Sequence, residues 1–296
     1  MAIYVFGDKP QNAAELTAFA HSMDAECVAF VCGKDAQAYA NIGAEKVLYL
    51  GNAMPESYAK AVSAVLKEQQ AELFAASVNT AGRELAAKVA GYCDCPIICD
   101  ITAMEKTTDG FKTERMLYGG AVIRRETINA FAVVTVPAGK YQPEEGACQV
   151  DMADCSADGR VSVVSSAPII REGVDITSAD KVVGVGMGFT NREELELAYD
   201  LAKTLGAELG CTRSLAEDKH WFSEYIGLSG IQICPRLYVA LGISGQIQHS
   251  VGVRGSQIIV AINKDEKCPM FAGCDYGIVG DMYELVPLLT EALKAL

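Results

Sequence analysis

Two hydrophobic periods alternate along the first ninety residues. Short β-rich runs at 3–6, 27–31, 46–50 and 73–77 are separated by stretches in which apolar residues return every three or four positions. After the first run, Asn12 has the placing of a helix N-cap, and Leu16, Phe19, Ala20 and Met23 follow at helical spacing. Residues 58–70 put Ala61, Val62, Val65 and Leu66 on one stripe, and 81–90 form a further helix that Gly91 ends from the C′ position. Repeated βα units predict a parallel sheet with helices on its faces.

The rhythm then changes. Residues 111–117 alternate as a hairpin partner at a sheet edge, and 127–136 form a long β-rich run closed by Pro137, Ala138 and Gly139. Both read as strands added to the same sheet, and the acidic stretch 143–160 reads as loop. Residues 165–180, SSAPIIREGVDITSAD, hold no sustained period and mark a domain boundary, dividing the chain into 1–178 and 179–296. A second βα series follows, with a strand at 181–185 and an amphipathic helix at 192–205 carrying Leu195, Ala198, Leu201 and Ala202. Strands at 207–211, 237–241 and 256–262 and a last helix from 281 complete it. The fold class is therefore α/β, two domains each built on a mainly parallel sheet flanked by helices, the second doubly wound.

Charge narrows the function classes. Lys and Arg number 25 against 38 Asp and Glu, a formal net charge of −13. That balance argues against nucleic acid, whose binders need a basic face to replace phosphate counterions, and against anionic lipid. No apolar run approaches the ~20 residues that span a bilayer, and the opening MAIYVFGDKP is not a secretory signal. The expected compartment is the cytoplasm, where the eleven cysteines stay reduced. Cys93, Cys95 and Cys99 have spacing unsuited to zinc or iron–sulfur ligation and read as free thiols, so no metal site is expected.

The segment 237–249, LYVALGISGQIQH, carries the most chemistry. A strand ends at Gly242, Ser244 and Gly245 turn tightly, and Gln246 opens the next helix. Such a junction offers backbone N–H groups to a phosphate or a flavin ring, or is an ordinary strand-to-helix turn. The turn 184–188, GVGMG, lacks the spacing of a dinucleotide fingerprint. No nucleophile–base–acid order stands out elsewhere.

With CTRS at 211–214, IVAINKD at 259–265 and DYGIVGD at 275–281, that segment resembles the α subunit of electron transfer flavoproteins, most closely the Fix-type branch. LYGG at 117–120 and Trp221 agree with it. The resemblance implies an FAD held by the second domain, a partner interface on the first, and a β subunit that completes a heterodimer. The implied role is to carry electrons from dehydrogenases or NADH to a quinone oxidoreductase or another reductase, with electron bifurcation in some relatives. It assigns cofactor contacts to Thr212, Arg213, Ile226, Gly227, Leu228 and Ser229, to Ser244, Gly245, Gln246, Ile247, Gln248 and His249, and to Asn263, Asp281 and Met282.

By that resemblance Arg213 lies over the flavin ring and favours its negatively charged reduced form; the alternative is a surface ion pair with Glu217 or Asp218. Ser229 would hydrogen-bond the ring near N5 or O4, and Leu228 could contribute only backbone. His249 would bring partial or full positive charge near O2, or pack locally. Asp281 would accept from the ribose or adenine, cap the last helix, or do both. The family's Gly-Arg-Gly after the first strand of this domain is Gly186-Met187-Gly188 here, so a cation facing the diphosphate is lost unless N–H groups of residues 188–191 replace it. Two other readings stand beside the carrier: a free-standing flavin- or NAD(P)-dependent oxidoreductase, and a nucleotide-binding scaffold without redox function.

Overall fold

A computed structural model describes residues 2–143, 145–165, 167 and 175–295. The chain forms two compact units, Met1–Pro168 and Ile169–Leu296. Part of the expected boundary, 166 and 168–174, lies outside the described residues. Ile176 packs on the core of the second unit.

In the first unit β1 (Ala2–Phe6), α1 (Pro10–His21), β2 (Glu26–Val31), β3 (Lys46–Tyr49), α2 (Ala59–Glu68), β4 (Leu73–Ser77) and α3 (Thr80–Cys93) follow in turn. They are followed by β5 (Ile97–Ile98), β6 (Ile101–Thr107), β7 (Gly110–Leu117), β8 (Val122–Ile128), β9 (Ala132–Val136) and β10 (Val150–Met152). Seven strands make one parallel sheet in the order β10-β3-β2-β1-β4-β9-β5. Its central strands are apolar on both faces, as a sheet sandwiched between helices requires.

Several local expectations are corrected here. Asn12 does not cap α1: the N-cap is Lys9 with Pro10 at the first helical position, and Asn12 Nδ2 donates to Asp8 Oδ1 at 2.7 Å. Gly91 does not stop α3, which runs on to Cys93 and ends on Asp94 in the left-handed region (φ 52°). The run 127–136 is not one strand. Ile128 ends β8 and Ala132 opens β9, which belong to different sheets. Residues 111–117 lie not at the edge of the main sheet but in the middle of a separate antiparallel sheet, β6-β7-β8. Within the expected loop 143–160, Val150–Met152 pairs with β3 as the edge strand of the large sheet.

The second unit contains β11 (Lys181–Val185), α4 (Glu196–Leu205), β12 (Glu208–Cys211), α5 (Arg213–Glu217), β13 (Leu237–Leu241), α6 (Ile247–Val253), β14 (Ile258–Asn263), β15 (Tyr276–Val279) and α7 (Met282–Lys294). All five strands are parallel, in the order β12-β11-β13-β14-β15. The chain steps outward from β11 to β12, then returns to β13 on the other side. That reversal opens a crevice at the carboxyl ends of β11 and β13, where open α/β sheets take their ligands. Val183, Val185, Leu201, Val239, Leu241 and Val286 fill one layer; Val182, Tyr238, Ala240 and Ile259 fill the other.

Tyr238 pairs with Val182 in β11 and sits fully buried in the second layer because Gly184, two residues further along that strand, has no side chain. A Cβ on Gly184 would lie 1.9 Å from the Tyr238 hydroxyl and 2.5 Å from Cζ. We expect Gly184→Ala to destabilise the protein by about 1–3 kcal/mol, measured by chemical denaturation. Tyr238→Phe should not rescue it, because the clash with the ring carbon remains.

Candidate functional site

The carboxyl ends of all five strands of the second unit open into one cavity of about 710 Å³. Met187 and Gly188 enter it after β11, Thr212 and Arg213 after β12, Ser244 after β13, Asn263 and Lys264 at and after β14, and Asp281 after β15. The size suits a mostly enclosed organic ligand. Two glycines make the crevice possible. Gly242 has φ +60°, and a Cβ there would lie 2.8 Å from Gly188 Cα. Gly245 has φ +75°, and its Cβ would lie 2.3 Å from the Met270 backbone nitrogen. Both turns are thus pressed against neighbouring backbone as no side chain would permit.

Of the residues assigned from sequence, the structure brings together Thr212, Arg213, Ile226, Gly227, Leu228, Ser229, Ser244, Gln246, Gln248, His249, Asn263, Asp281 and Met282 around the cavity. Gly245 and Ile247 are not on its wall: Gly245 is buried against Met270, and Ile247 is exposed. Their place in the motif is structural: one shapes the turn, and the other opens α6.

The Arg213–Glu217 pair and the Asp281 cap, both named above as alternatives, are present, and other side chains are committed in ways the sequence did not show. Arg213 Nε meets Glu217 Oε2 at 2.5 Å, and its guanidinium lies 6.0 Å from the Tyr225 ring centre. The surface ion pair and the cavity wall are therefore one residue. An exposed i,i+4 pair is screened by water and weak, so a ligand can draw the arginine inward at small cost. Tyr225 Oη and Ser229 Oγ are 3.0 Å apart, which fixes the serine beside Arg213. The N–H of Leu228 donates to the Gln248 carbonyl at 2.7 Å, so it is not free for a ligand. Asn263 Nδ2 donates to the Ile243 carbonyl at 3.0 Å and to Cys268 Sγ at 3.2 Å, while Oδ1 accepts from Asp265 N–H. Its amide holds the turn together. Asp281 caps α7, accepting from Tyr283 N–H at 2.9 Å, and still lines the cavity. Met282 is buried with its sulfur against Gly242.

The positive charge expected of His249 is corrected. The ring is 7% exposed. Its Nδ1 lies 3.1 Å from the Ile226 carbonyl, which can only accept, so Nδ1 carries the proton. Nε2 lies 2.8 Å from the Tyr238 hydroxyl and takes its hydrogen. Burial lowers the pKa to about 4, outweighing the favourable Ile226 contact. The imidazole is neutral and both its nitrogens are used by the protein.

The N–H groups of 188–191 are also spent. Gly188 donates to the Gly242 carbonyl at 2.9 Å and Phe189 to the Gly186 carbonyl at 3.1 Å. Thr190 and Asn191 both donate to Glu194 Oε2, at 2.9 and 3.1 Å. The Tyr283 hydroxyl donates to the same oxygen, and these contacts lower the Glu194 pKa to about 2. The chain's own carboxylate thus occupies the nest that was to replace the missing arginine. By contrast, Thr212 Oγ1 is buried without a hydrogen-bond partner. Among the described residues no group of three or more His, Cys, Asp or Glu side chains could hold a metal ion, and no helix is long and apolar enough to cross a membrane.

Tyr238, Glu194, Tyr283 and Lys264 were not singled out from sequence. Tyr238 and Lys264 lay inside quoted motifs, and the Asn191–Glu194 spacing is that of a capping box; the contacts of Tyr238 with His249 and of Tyr283 with Glu194 span 11 and 89 residues, which no local pattern reveals.

The neutral His249 makes stability depend on pH. Its pKa is about 4 folded and 6.5 for the free side chain, so the unfolded chain binds the extra proton between those values. The contribution is whole above pH 6.5 and is lost as pH falls toward 4. In the cofactor-free protein the loss should be on the order of 3 kcal/mol. Thermal melting between pH 7 and 4.5 should fall less steeply for His249→Asn; an identical slope would show that His249 is not buried neutral.

Comparison with known proteins bears on both units. The model of the "electron transfer flavoprotein domain" matches residues 11–168, and that of the "electron transfer flavoprotein FAD-binding domain" matches residues 175–254. The chain is 36% identical over 311 residues to the putative electron transfer flavoprotein subunit YdiR of Escherichia coli K12, covering 99% of this chain and 98% of that one. It is 34% identical over 313 residues to protein FixB of Salmonella typhimurium, with the same coverage. It is 35% identical over 312 residues to protein FixB of Escherichia coli O127:H6, covering 98% and 97%. The chain therefore belongs to the electron transfer flavoprotein family, as an α-type subunit.

Proposed function

We propose that this chain is the FAD-holding α subunit of a heterodimeric electron carrier, completed by a β subunit and working between a dehydrogenase or NADH and a downstream reductase or quinone oxidoreductase. The observation that supports it most directly is the five-strand crevice in which Thr212 Oγ1 is buried and unpaired. Gly188 and Gly242 support the fit by letting the turns after β11 and β13 touch, which shapes the floor of the crevice.

When bound, the flavin supplies the one- and two-electron chemistry; the chain supplies place and charge. Arg213, Tyr225 and Ser229 form the wall that would carry the ring's polar edge, with the guanidinium opposing negative charge that develops on reduction. Neutral His249 keeps its proton on Nδ1, bound to Ile226, and leaves no cation of its own in the wall. Asp281 places a carboxylate oxygen within reach of a hydroxyl or amine at the far end.

A free-standing oxidoreductase would need an acid–base pair in the same cavity. The described wall offers instead a neutral histidine with both nitrogens committed, and carboxylates already holding backbone N–H groups.

The test is flavin identity and stoichiometry in the chain purified together with its β subunit, read by absorbance and by chromatography of the released cofactor. One FAD per α chain is expected in this unit; FMN, or no flavin after incubation with FAD, would refute the reading. A second expectation follows from the orphaned hydroxyl. Thr212→Val should raise the stability of the cofactor-free protein by about 1 kcal/mol, because it removes an unsatisfied buried group, yet weaken flavin affinity. Loss of both would mean that the threonine serves the fold alone.

A further inference from the structure

A dinucleotide cofactor brings a diphosphate with at least two negative charges into a chain of net charge −13. The turn after β11 does not receive them. Its four N–H groups are bonded, two of them to Glu194, whose carboxylate would repel an approaching phosphate. The cations on the described cavity wall are two, Arg213 and Lys264. Arg213 is paired with Glu217 and stacked toward Tyr225, at the end of the cavity where Ser229 also lies.

Lys264 differs in every respect. Its sequence neighbours make no recorded ion pair with it, and both turn a side-chain oxygen to backbone. Asn263 Oδ1 accepts from Asp265 N–H, and Asp265 Oδ1 accepts from Lys267 N–H, both at 3.0 Å. The turn that carries Lys264 is fastened down. Asn263 and Cys268 donate to the Ile243 carbonyl at 3.0 and 3.2 Å, Cys268 Sγ lies 3.3 Å from the Ser244 carbonyl, and Gly280 N–H donates to the Asn263 carbonyl at 3.0 Å. The lysine is thus presented from a pinned stalk beside the Ser244 turn, without an ion-pair partner among the described residues. A compact ammonium on a flexible stem is well suited to phosphate oxygens as a point charge.

We infer that Lys264 is the cation that neutralises the cofactor's diphosphate, in place of the turn after β11. The inference rests on the flavin-holding reading above and gives that site a specificity determinant: the lysine selects for a phosphorylated flavin and contributes nothing to the ring.

The experiment titrates the deflavinated αβ complex with FAD and with riboflavin, which has the ring but no phosphate, following flavin fluorescence at low and moderate salt. Lys264→Gln should weaken FAD about tenfold or more, the size of a charge-assisted contact, and flatten the salt dependence of binding. Lys264→Arg should recover most of the affinity, and riboflavin should bind wild type and Lys264→Gln alike. Unchanged FAD affinity in Lys264→Gln, with wild type binding normally, overturns this inference and leaves the flavin site standing. An equal loss of FAD and riboflavin also overturns it, since the lysine would then be holding the fold. A wild-type complex that binds neither flavin removes the flavin site itself, and this inference with it.

Discussion

The second unit depends on two backbone turns being allowed to touch. Gly188, after β11, and Gly242, after β13, lie so close that a Cβ on either would come within 2.8 Å of the other's Cα, and Gly188 N–H donates to the Gly242 carbonyl. This contact sits where the strand order reverses. It holds the two carboxyl ends together at the floor of the crevice while the turns after β12 and β14 form its sides. Met282 closes the floor from α7, its sulfur near Gly242 and its methyl near Gly188. A side chain at either glycine would push β11 from β13 and move every wall residue. The geometry of the cavity is therefore set by what is missing at two positions rather than by any polar group.

Given that floor, the chain uses most polar groups near it for its own support. Asn263 fastens the β14 turn, Asp281 caps α7, Glu194 fills the N–H nest, and Tyr238 with Ile226 saturates His249. Such networks rigidify a site but leave little for a ligand to displace cheaply. What remains available is unevenly distributed: the hydroxyl of Thr212 and the exposed arms of Arg213 and Lys264. A ligand suited to the remainder offers acceptor atoms and negative charge.

The architecture was largely legible because period and composition act locally. The strands Leu73–Ser77, Lys181–Val185 and Leu237–Leu241 lie where the runs of β-rich residues place them. The failures are equally physical. The run 127–136 keeps one composition across two sheets, since periodicity records that residues are extended and half-buried but not which sheet buries them. Gly91 invited a helix stop, yet a Cβ there meets open space; the actual stop is Asp94, which tolerates the left-handed region through its short polar side chain.

In the site, the motif located the wall but not the charge state of its members. That His249 belongs to the wall is written in the segment ending at 249. Its neutrality is not, because this comes from Tyr238 on β13 and from the Ile226 carbonyl 23 residues upstream. Glu194 is partly legible, since Asn191 and Glu194 have capping-box spacing, but Tyr283, 89 residues on, joins it over the turn. The arginine that the family resemblance leads one to expect at Met187 therefore cannot be judged from that position alone. The N–H groups of Thr190 and Asn191 beside that position already hold the Glu194 carboxylate. The compensating charge has to be sought on the opposite wall, where Lys264 stands with no partner among the described residues.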